Sequence, residues 1–457
     1  MQEKNARWYR RIEMNTRFIK ILSLSLLVFA WLGACFTPTT MERPERERLA
    51  SSRSPLRGTV LPPGTGQREV PSLSDLFGRF HEEEIRIALL LPLSGPGESL
   101  GNAFLDAAAM ALFEAYDPRL HLFPLDTGGT PEGARRAALS AVAGEVDIVI
   151  GPLFADSIRA AAPILREEDI KMIGFSNNPD VAGDGVYLLS FMPEQEVKRV
   201  IQFASDQNYG QFAALIPDSL YGAAVLEGFS EAVYLAGREI TGLEIYTRNT
   251  QSFLEPVRRL ANYDVRRDAY LEEETFLKNL GDDDFAAEIL KNLETMETLG
   301  SPPFTSVIVP ESGQFLRSLI PLLPFFEIDP LEVKFLGTGL WYDPTLAGEP
   351  TLEGAWFAGP DPEKVEGFMA RFQSLYGYRP PRIATLSFDA VSLVASLSRI
   401  EIRRARFSDR TLRNANGFSG IDGIFRFQAD GTTERGFAIL EIRKDGFHIV
   451  SPPPDHF

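Results

Sequence analysis

The chain has 457 residues, 44% of them hydrophobic and 24% charged, a globular composition with enough length for two to three domains at roughly 150 residues each. Its 46 Lys+Arg against 63 Asp+Glu leave a net charge of −17, so a chain-wide basic field for gripping phosphate backbones is absent and nucleic acid is not an expected partner. One cysteine excludes an intrachain disulfide, and four scattered histidines (His81, His121, His448, His456) without a Cys pair give no zinc-site spacing, so neither metal nor cofactor is expected.

The charge is unevenly spread: the first 34 residues carry a net +4, residues 35–69 a net +2, and the chain from Val70 onward a net −23. Lys4, Arg7, Arg10, Arg11, Arg17 and Lys20 precede the apolar run Ile21 to Trp31 and then Leu32-Gly33-Ala34-Cys35. A charged start, a short apolar stretch and small residues before a break read as a signal peptide over residues 1–34. At about 1.5 Å per residue the apolar run covers only about 20 Å, short of the roughly 30 Å core of a bilayer. Leu32-Gly33-Ala34-Cys35 resembles the bacterial lipobox, and the resemblance implies that Cys35 is acylated, palmitate included, and becomes the mature N-terminus. Phe36 stands where an Asp would retain such a lipoprotein in the inner membrane, which implies an outer-membrane anchor with the body facing the periplasm. Residues 35–83, lipidated Cys and then Pro, Ser, Thr, Gly and Arg with no apolar period, read as a disordered tether. Such a coil spans about 40 Å and reaches about 150 Å when extended.

From Glu84 strands alternate with helices. Strands are expected at 85–91, 121–125, 147–150 and 171–175, with helices at 104–115, 131–143 and 156–166 between them. The rhythm restarts with strands at 212–217, 240–246, 306–309 and 333–336 and a helix at 223–236. Alternation of this kind forces parallel pairing and right-handed crossovers, hence two α/β lobes. Asp264 to Leu299, with eleven Asp/Glu and four Lys/Arg, reads as an acidic helical insertion, either a solvated face or a docking surface.

The blocks IALLLPLSGPGESLGNAFLDAAAMALFEA, VDIVIGPLFADSIRAAAPILREEDIKMIGFSNNPDVAGDGVYLLSFMPE and FAALIPDSLYG resemble the type I periplasmic-binding-protein fold of branched-chain amino-acid receptors. Later blocks, VIVPESGQFLRSLIPLL, FLGTGLWYDP, GAWFAGPDPEKVEGFMARF, PPRIATLSFDAVSLVASL and GFSGIDGIFRFQADGTTERGFAILEI, resemble the lipoprotein subfamily of penicillin-binding protein activators. The resemblance implies two Rossmann-like lobes of parallel sheet flanked by helices and joined by three interlobe crossovers, near Phe191, Gly354 to Trp356 and Gly417 to Gly420. Lobe 1 would be 84–191 plus 355–416, and lobe 2 192–354 plus 417–457 with the insertion 264–299.

Enzyme chemistry finds little to stand on. Gly95-x-Gly97-x-x-x-Gly101 with Asp126 has a dinucleotide-site layout, but Glu98 lies where a pyrophosphate would approach, and turn glycines account for the pattern. No G-x-S-x-G, S-x-x-K or K-T-G is present, so no catalytic residue is assigned and the protein is not expected to be a penicillin-binding enzyme itself. Asp156 and Glu311 could form a carboxylate pair only if the fold brought them together. The remaining candidate is the interlobe cleft, expected to be lined by Ser94, Leu153, Phe154, Ser176, Asn177, Tyr221, Glu311 and Trp341. Leu153 and Phe154 replace the small polar residues that hold a ligand carboxylate in amino-acid receptors of this fold. Asp156 is placed to cap the helix behind them, which would repel an anion. The resemblance implies a lipoprotein that binds and activates a class A penicillin-binding protein, a peptidoglycan synthase of cell-wall synthesis, by protein contact, with or without a small ligand in the cleft. The alternative is a lipid-anchored solute receptor for amino acids or peptides serving an ABC transporter.

Overall fold

The computed structural model describes residues 84–457 except 281–283 and 294–295, all within one compact unit. The expected signal peptide 1–34, the expected acylation of Cys35 and the expected tether over 35–83 lie outside the described residues. Two sheets carry the architecture. The first has the order β2-β1-β3-β4-β5, all parallel, from strands β1 (Ile85–Leu91), β2 (Leu120–Asp126), β3 (Ile148–Ile150), β4 (Met172–Gly174) and β5 (Val186–Leu188). Helices Glu98–Ala115, Pro131–Ala143 and Ala155–Glu167 connect the first four. Strand β1 shows why its run is apolar throughout: Ile85, Ile87, Leu89 and Leu91 enter one core, Ala88 and Leu90 the other. Side chains alternate across a strand, so a sheet covered on both faces needs apolar residues at every position.

The second sheet has the order β15-β14-β10-β9-β8-β6-β7. Its strands are β6 (Gln211–Pro217), β7 (Glu239–Tyr246), β8 (Ser306–Ile308), β9 (Lys334–Gly337), β10 (Trp356–Gly359), β14 (Ala438–Arg443) and β15 (Gly446–Ser451). The first five are parallel, whereas β14 and β15 join as an antiparallel hairpin on β10. Strand β6 splits in the same manner, Ala213 and Leu215 into one core and Phe212, Ala214 and Ile216 into the other, under helices Pro193–Asp206 and Leu220–Leu235.

Two boundaries differ from expectation. Trp356–Gly359 still pairs with β9 and β14, so the second crossing falls after Gly359 and not at Gly354 to Trp356. Residues 418–435 form a separate three-stranded antiparallel sheet, β11 (Phe418–Gly420), β12 (Gly423–Phe427) and β13 (Thr433–Arg435). Its Phe425 and Phe427 pack into the core of the first lobe, and only 437–451 belongs to the second. Strand β12 reads GIFRF, and its alternate phenylalanines need an apolar face, which the first lobe supplies. This small sheet bridges the lobes, because Leu188 N–H donates to Gly431 O at 2.8 Å while Gln195 Nε2 donates to Thr433 O at 2.7 Å.

The acidic stretch is a pair of helices, Tyr263–Asn279 and Asp284–Leu293, closed on a small core of Tyr270, Leu277, Ala286 and Leu293. Buried Arg266 ties its base, donating to Gly300 O at 2.9 Å.

Candidate functional site

The C-terminal ends of the parallel strands in both lobes face one another, the place where α/β sheets bind ligands. Between them lies a cavity of about 310 Å³ lined by Leu100, Phe104, Leu153, Phe154, Phe175, Asn177, Ser190, Phe191, Pro193, Glu196, Tyr221, Gly339, Leu340, Arg382, Ile383 and Leu386. An adjoining hollow of about 460 Å³ shares Leu153, Phe154, Asn177 and Tyr221 and adds Ser176.

Four expected cleft residues therefore meet on the cavity: Leu153, Phe154, Asn177 and Tyr221. Leu153 and Phe154 follow β3 through Gly151, whose φ of +87° and closeness to Leu90 O, 2.1 Å from a built Cβ, exclude any side chain. Tyr221 sits in the first turn of Leu220–Leu235, which Ser219 caps by accepting from Gly222 N–H at 3.0 Å. Its hydroxyl pairs with Thr338 at 2.8 Å, and burial, with Glu196 nearby, holds its phenol in the neutral form. Ser176 reaches only the adjoining hollow, its Oγ accepting from Asn178 N–H at 3.1 Å.

The other three are elsewhere. Ser94 donates to Asp126 at 2.5 Å, and the same carboxylate accepts from the backbone of Leu93, Ser94 and Gly128, closing the β1 and β2 end loops upon each other. Glu311 is buried inside lobe 2, accepting from Tyr246 at 2.9 Å and from Arg248 Nη2 at 3.0 Å. Trp341 is fully buried in the lobe 2 core, against Gly337 and Phe357. Nor does Asp156 cap the helix: Phe154 holds the N-cap position with no side-chain bond, and exposed Asp156 pairs with Arg159. The Asp156–Glu311 pair is excluded by these separate placements.

The sequence reading missed the charged end of the cavity. Glu196, in the first turn of Pro193–Asp206, accepts from Gly339 N–H at 2.9 Å through Oε2. Arg382, ahead of helix Thr385–Leu397 in lobe 1, stacks over Phe191 with its guanidinium carbon 4.2 Å from the ring centre. A Cβ on Gly339 would stand 2.4 Å from Glu196 Oε1 and 3.2 Å from Arg382 Nη1; glycine lets the two side chains arrive from opposite lobes over one backbone position. Arg382 Nη2 donates to fully buried Asp422 at 3.1 Å, which also accepts from Thr385 Oγ1 at 2.5 Å. Behind Phe191 lies Arg435, fully buried, 3.8 Å from Asp389, an ion pair too long for a hydrogen bond. Burial pushes the carboxyls of Glu196 and Asp389 up to about 7, against the pull of Arg382 and Arg435 respectively. The site is thus an apolar chamber with a charge cluster at one end, set where the lobes join.

Comparison with known proteins places this geometry. A family model described as periplasmic binding protein matches residues 84–446. An uncharacterised protein of Rickettsia prowazekii (strain Madrid E) is 26% identical over 181 residues, 40% of this chain and 48% of that protein, so the match spans about half the relative's length. Among solved structures, an ABC transporter substrate-binding protein from Sphaerobacter thermophilus superposes with a TM-score of 0.58 at 17% identity, covering 82% of this chain and 98% of that one. A solute binding protein of an ABC transporter from Rhodopseudomonas palustris BisB5, in complex with 3,4-dihydroxybenzoic acid, gives 0.54 at 16% identity, covering 82% and 98%. At these identities the likeness is one of fold.

Proposed function

We propose, from the premise that this chain belongs to the periplasmic binding protein family, that its interlobe cleft receives a small, predominantly apolar molecule. The observation that carries this is the cavity wall: Leu100, Phe104, Leu153, Phe154, Phe175, Leu340 and Leu386, with Phe191, Pro193 and Ile383, make most of it, and Glu196 and Arg382 meet at one end. Small-molecule sites have this build, apolar walls for affinity and a few polar groups for orientation. The Rhodopseudomonas structure, which holds a small aromatic acid, is in keeping with it. A free amino acid fits less well, since Leu153 and Phe154 occupy the loop where hydroxyls would hold its carboxylate. The reading describes a binding protein and assigns no catalytic residue. Its test is a melting-temperature screen of the full chain against small aromatic and branched aliphatic compounds. A ligand at a hundredfold excess over its Kd adds about 2.7 kcal/mol, so a rise of several degrees is expected, and Leu153→Asp should abolish it. No rise with any compound would defeat the reading.

A second reading, activation of a class A penicillin-binding protein by an outer-membrane lipoprotein anchored through Cys35, is favoured by the insertion on lobe 2. Its helix Tyr263–Asn279 turns outward Leu271 (43% exposed) and Phe276 (59% exposed) beside exposed Asp268 and Glu272, the mixed apolar and charged character of a protein contact. Acting on a synthase requires different affinities for its slow and fast states. Affinity capture from solubilised membranes with the full chain is expected to recover a bifunctional penicillin-binding protein, and Phe276→Asp to lose it. Equal recovery with the variant would remove the insertion from the contact.

A further inference from the structure

The charged end of the cleft is short of acceptors. Nε of Arg382 and all three guanidinium nitrogens of Arg435 are buried without a hydrogen-bond partner, against one carboxylate oxygen, Asp389 Oδ2, in the same state. Arg382 lines the cavity and spends one nitrogen on Asp422; among the described residues its Nη1 donates to nothing. Glu196, only 4% exposed, spends Oε2 on Gly339 N–H and leaves Oε1 unbonded. No ion pair joins Glu196 to Arg382, although both reach over Gly339. Arg382 Nη1 and Glu196 Oε1 thus come together at the cavity lining with hydrogen-bonding capacity to spare, which a ligand group set between them would use. An ammonium would add donors where acceptors are lacking. A phosphate would bring two charges into an apolar chamber whose lining holds one cationic side chain, Arg382, already paired with Asp422.

We infer that the ligand is a small apolar monocarboxylate whose carboxylate lies between the Arg382 guanidinium and the Glu196 carboxyl, an inference that rests on the cleft being a ligand site. One ligand oxygen accepts from Arg382 Nη1. The other accepts from Glu196 Oε1, which carries a proton, while Oε2 keeps accepting from Gly339 N–H. Burial already holds the Glu196 carboxyl up to about 7, and the groups facing it are Arg382, Arg435, Asp422 and Tyr221. Binding therefore takes one proton from solvent whenever Glu196 starts ionised: carboxylate, protein and proton go in, and no bond other than O–H is made.

The test is titration calorimetry on the full chain in detergent micelles, with benzoate and 4-methylpentanoate against benzamide, 4-methylpentanamide and leucine, in two buffers of different ionisation enthalpy from pH 6 to 9. The acids are expected to bind at least about tenfold more tightly than their amides, since an amide offers Arg382 no charge. Their affinity should fall by about tenfold per pH unit above 7, with proton uptake near one half at pH 7 and approaching one at pH 8.5. Glu196→Gln should keep binding at pH 6 while losing both the uptake and the pH dependence, which separates Glu196 from Asp389. Arg382→Gln should erase the preference for acid over amide. Equal binding of amides, or preferred binding of leucine without proton uptake, would overturn the inference and leave the cleft a ligand site. Absence of heat with every probe, together with unmoved melting temperatures across the wider screen, would bring down the cleft reading as well.

Discussion

Trp341→Ala is expected to cost about 3–5 kcal/mol of stability, the range for removing a fully buried large aromatic. Among the described residues Trp341 is the largest side chain with no exposure. It leans on Gly337, where a built Cβ would stand 2.1 Å from the indole, and faces Phe357 at a ring separation of 6.4 Å. Little could collapse into the space it leaves, because its floor is sheet backbone: β9 ends at Gly337 and β10 carries Phe357. The indole Nε1 has no hydrogen-bond partner, so Trp341→Phe gives up packing but removes an unmet donor and should recover more than half of the loss. Urea unfolding followed by far-ultraviolet circular dichroism measures both. Leu340, on the cavity wall, rides on the same short turn, Gly339–Trp341; the alanine variant should therefore also weaken any cleft ligand. A cost below about 1 kcal/mol would mean that the turn repacks, and that the wall of the cleft is softer than its burial implies.

Asp422→Ala should be as damaging, about 3–5 kcal/mol, for an electrostatic reason. Asp422 has no exposure and is the carboxylate that joins Arg382 and Thr385. Without it Arg382 and Arg435 would share a dry region with Glu196 and Asp389, two carboxyls whose burial already favours the neutral form. Losing Asp422 also lifts its repulsion from those two carboxyls, which offsets part of the lost charge, but Arg382 and Thr385 are left without their buried partner. Asp422→Asn keeps an acceptor for Thr385 and should fall between alanine and the parent chain. The same unfolding measurement decides it. A loss below about 1 kcal/mol would show that solvent reaches the cluster when one member is removed.

The α/β framework was legible because parallel strands buried on both faces must be apolar at every position. IRIALLL, expected at 85–91, is β1 at those residues, and FAALIP at 212–217 lies within β6. The short strands after Gly359 were not legible in this manner. GIFRF alternates, as a strand covered on one face should, but nothing local says which lobe supplies the cover. Residues at strand ends were half right for a similar reason. Leu153 and Tyr221 open helices and so stay near the cleft, whereas Trp341, three residues beyond Thr338, is turned under by one tight 3₁₀ turn. Glu311 also follows a strand, and yet Arg248 and Tyr246 draw it inward. The missed pair is non-local. Glu196 looks like one more acidic residue on an amphipathic helix, and its partner Gly339 lies 143 residues later. Arg382 sits in PPRIA, a stretch without strand or helix period. No spacing rule connects these residues, because the lobes that carry them meet only when the chain has crossed between them.

The hairpin on β10 fixes when the second lobe can be finished. Arg199, in the first helix of that lobe, donates to Phe437 O at 3.1 Å and to Ser451 Oγ at 2.6 Å, a partner 252 residues downstream. A segment that must wait that long for its edge is a slow element, since distant pairings have to overcome loop-closure entropy before any contact rewards them. The first sheet needs only residues 85–188 to pair its five strands, although the cover for one of its faces comes as late as Phe425 and Phe427. Until Ala438–Ser451 arrives, β10 presents an open strand edge, the sort of edge that pairs with foreign chains. Vectorial synthesis thus lets the first sheet pair its strands early while the second waits for its last hairpin, and a factor that shields unpaired strand edges would serve the second sheet.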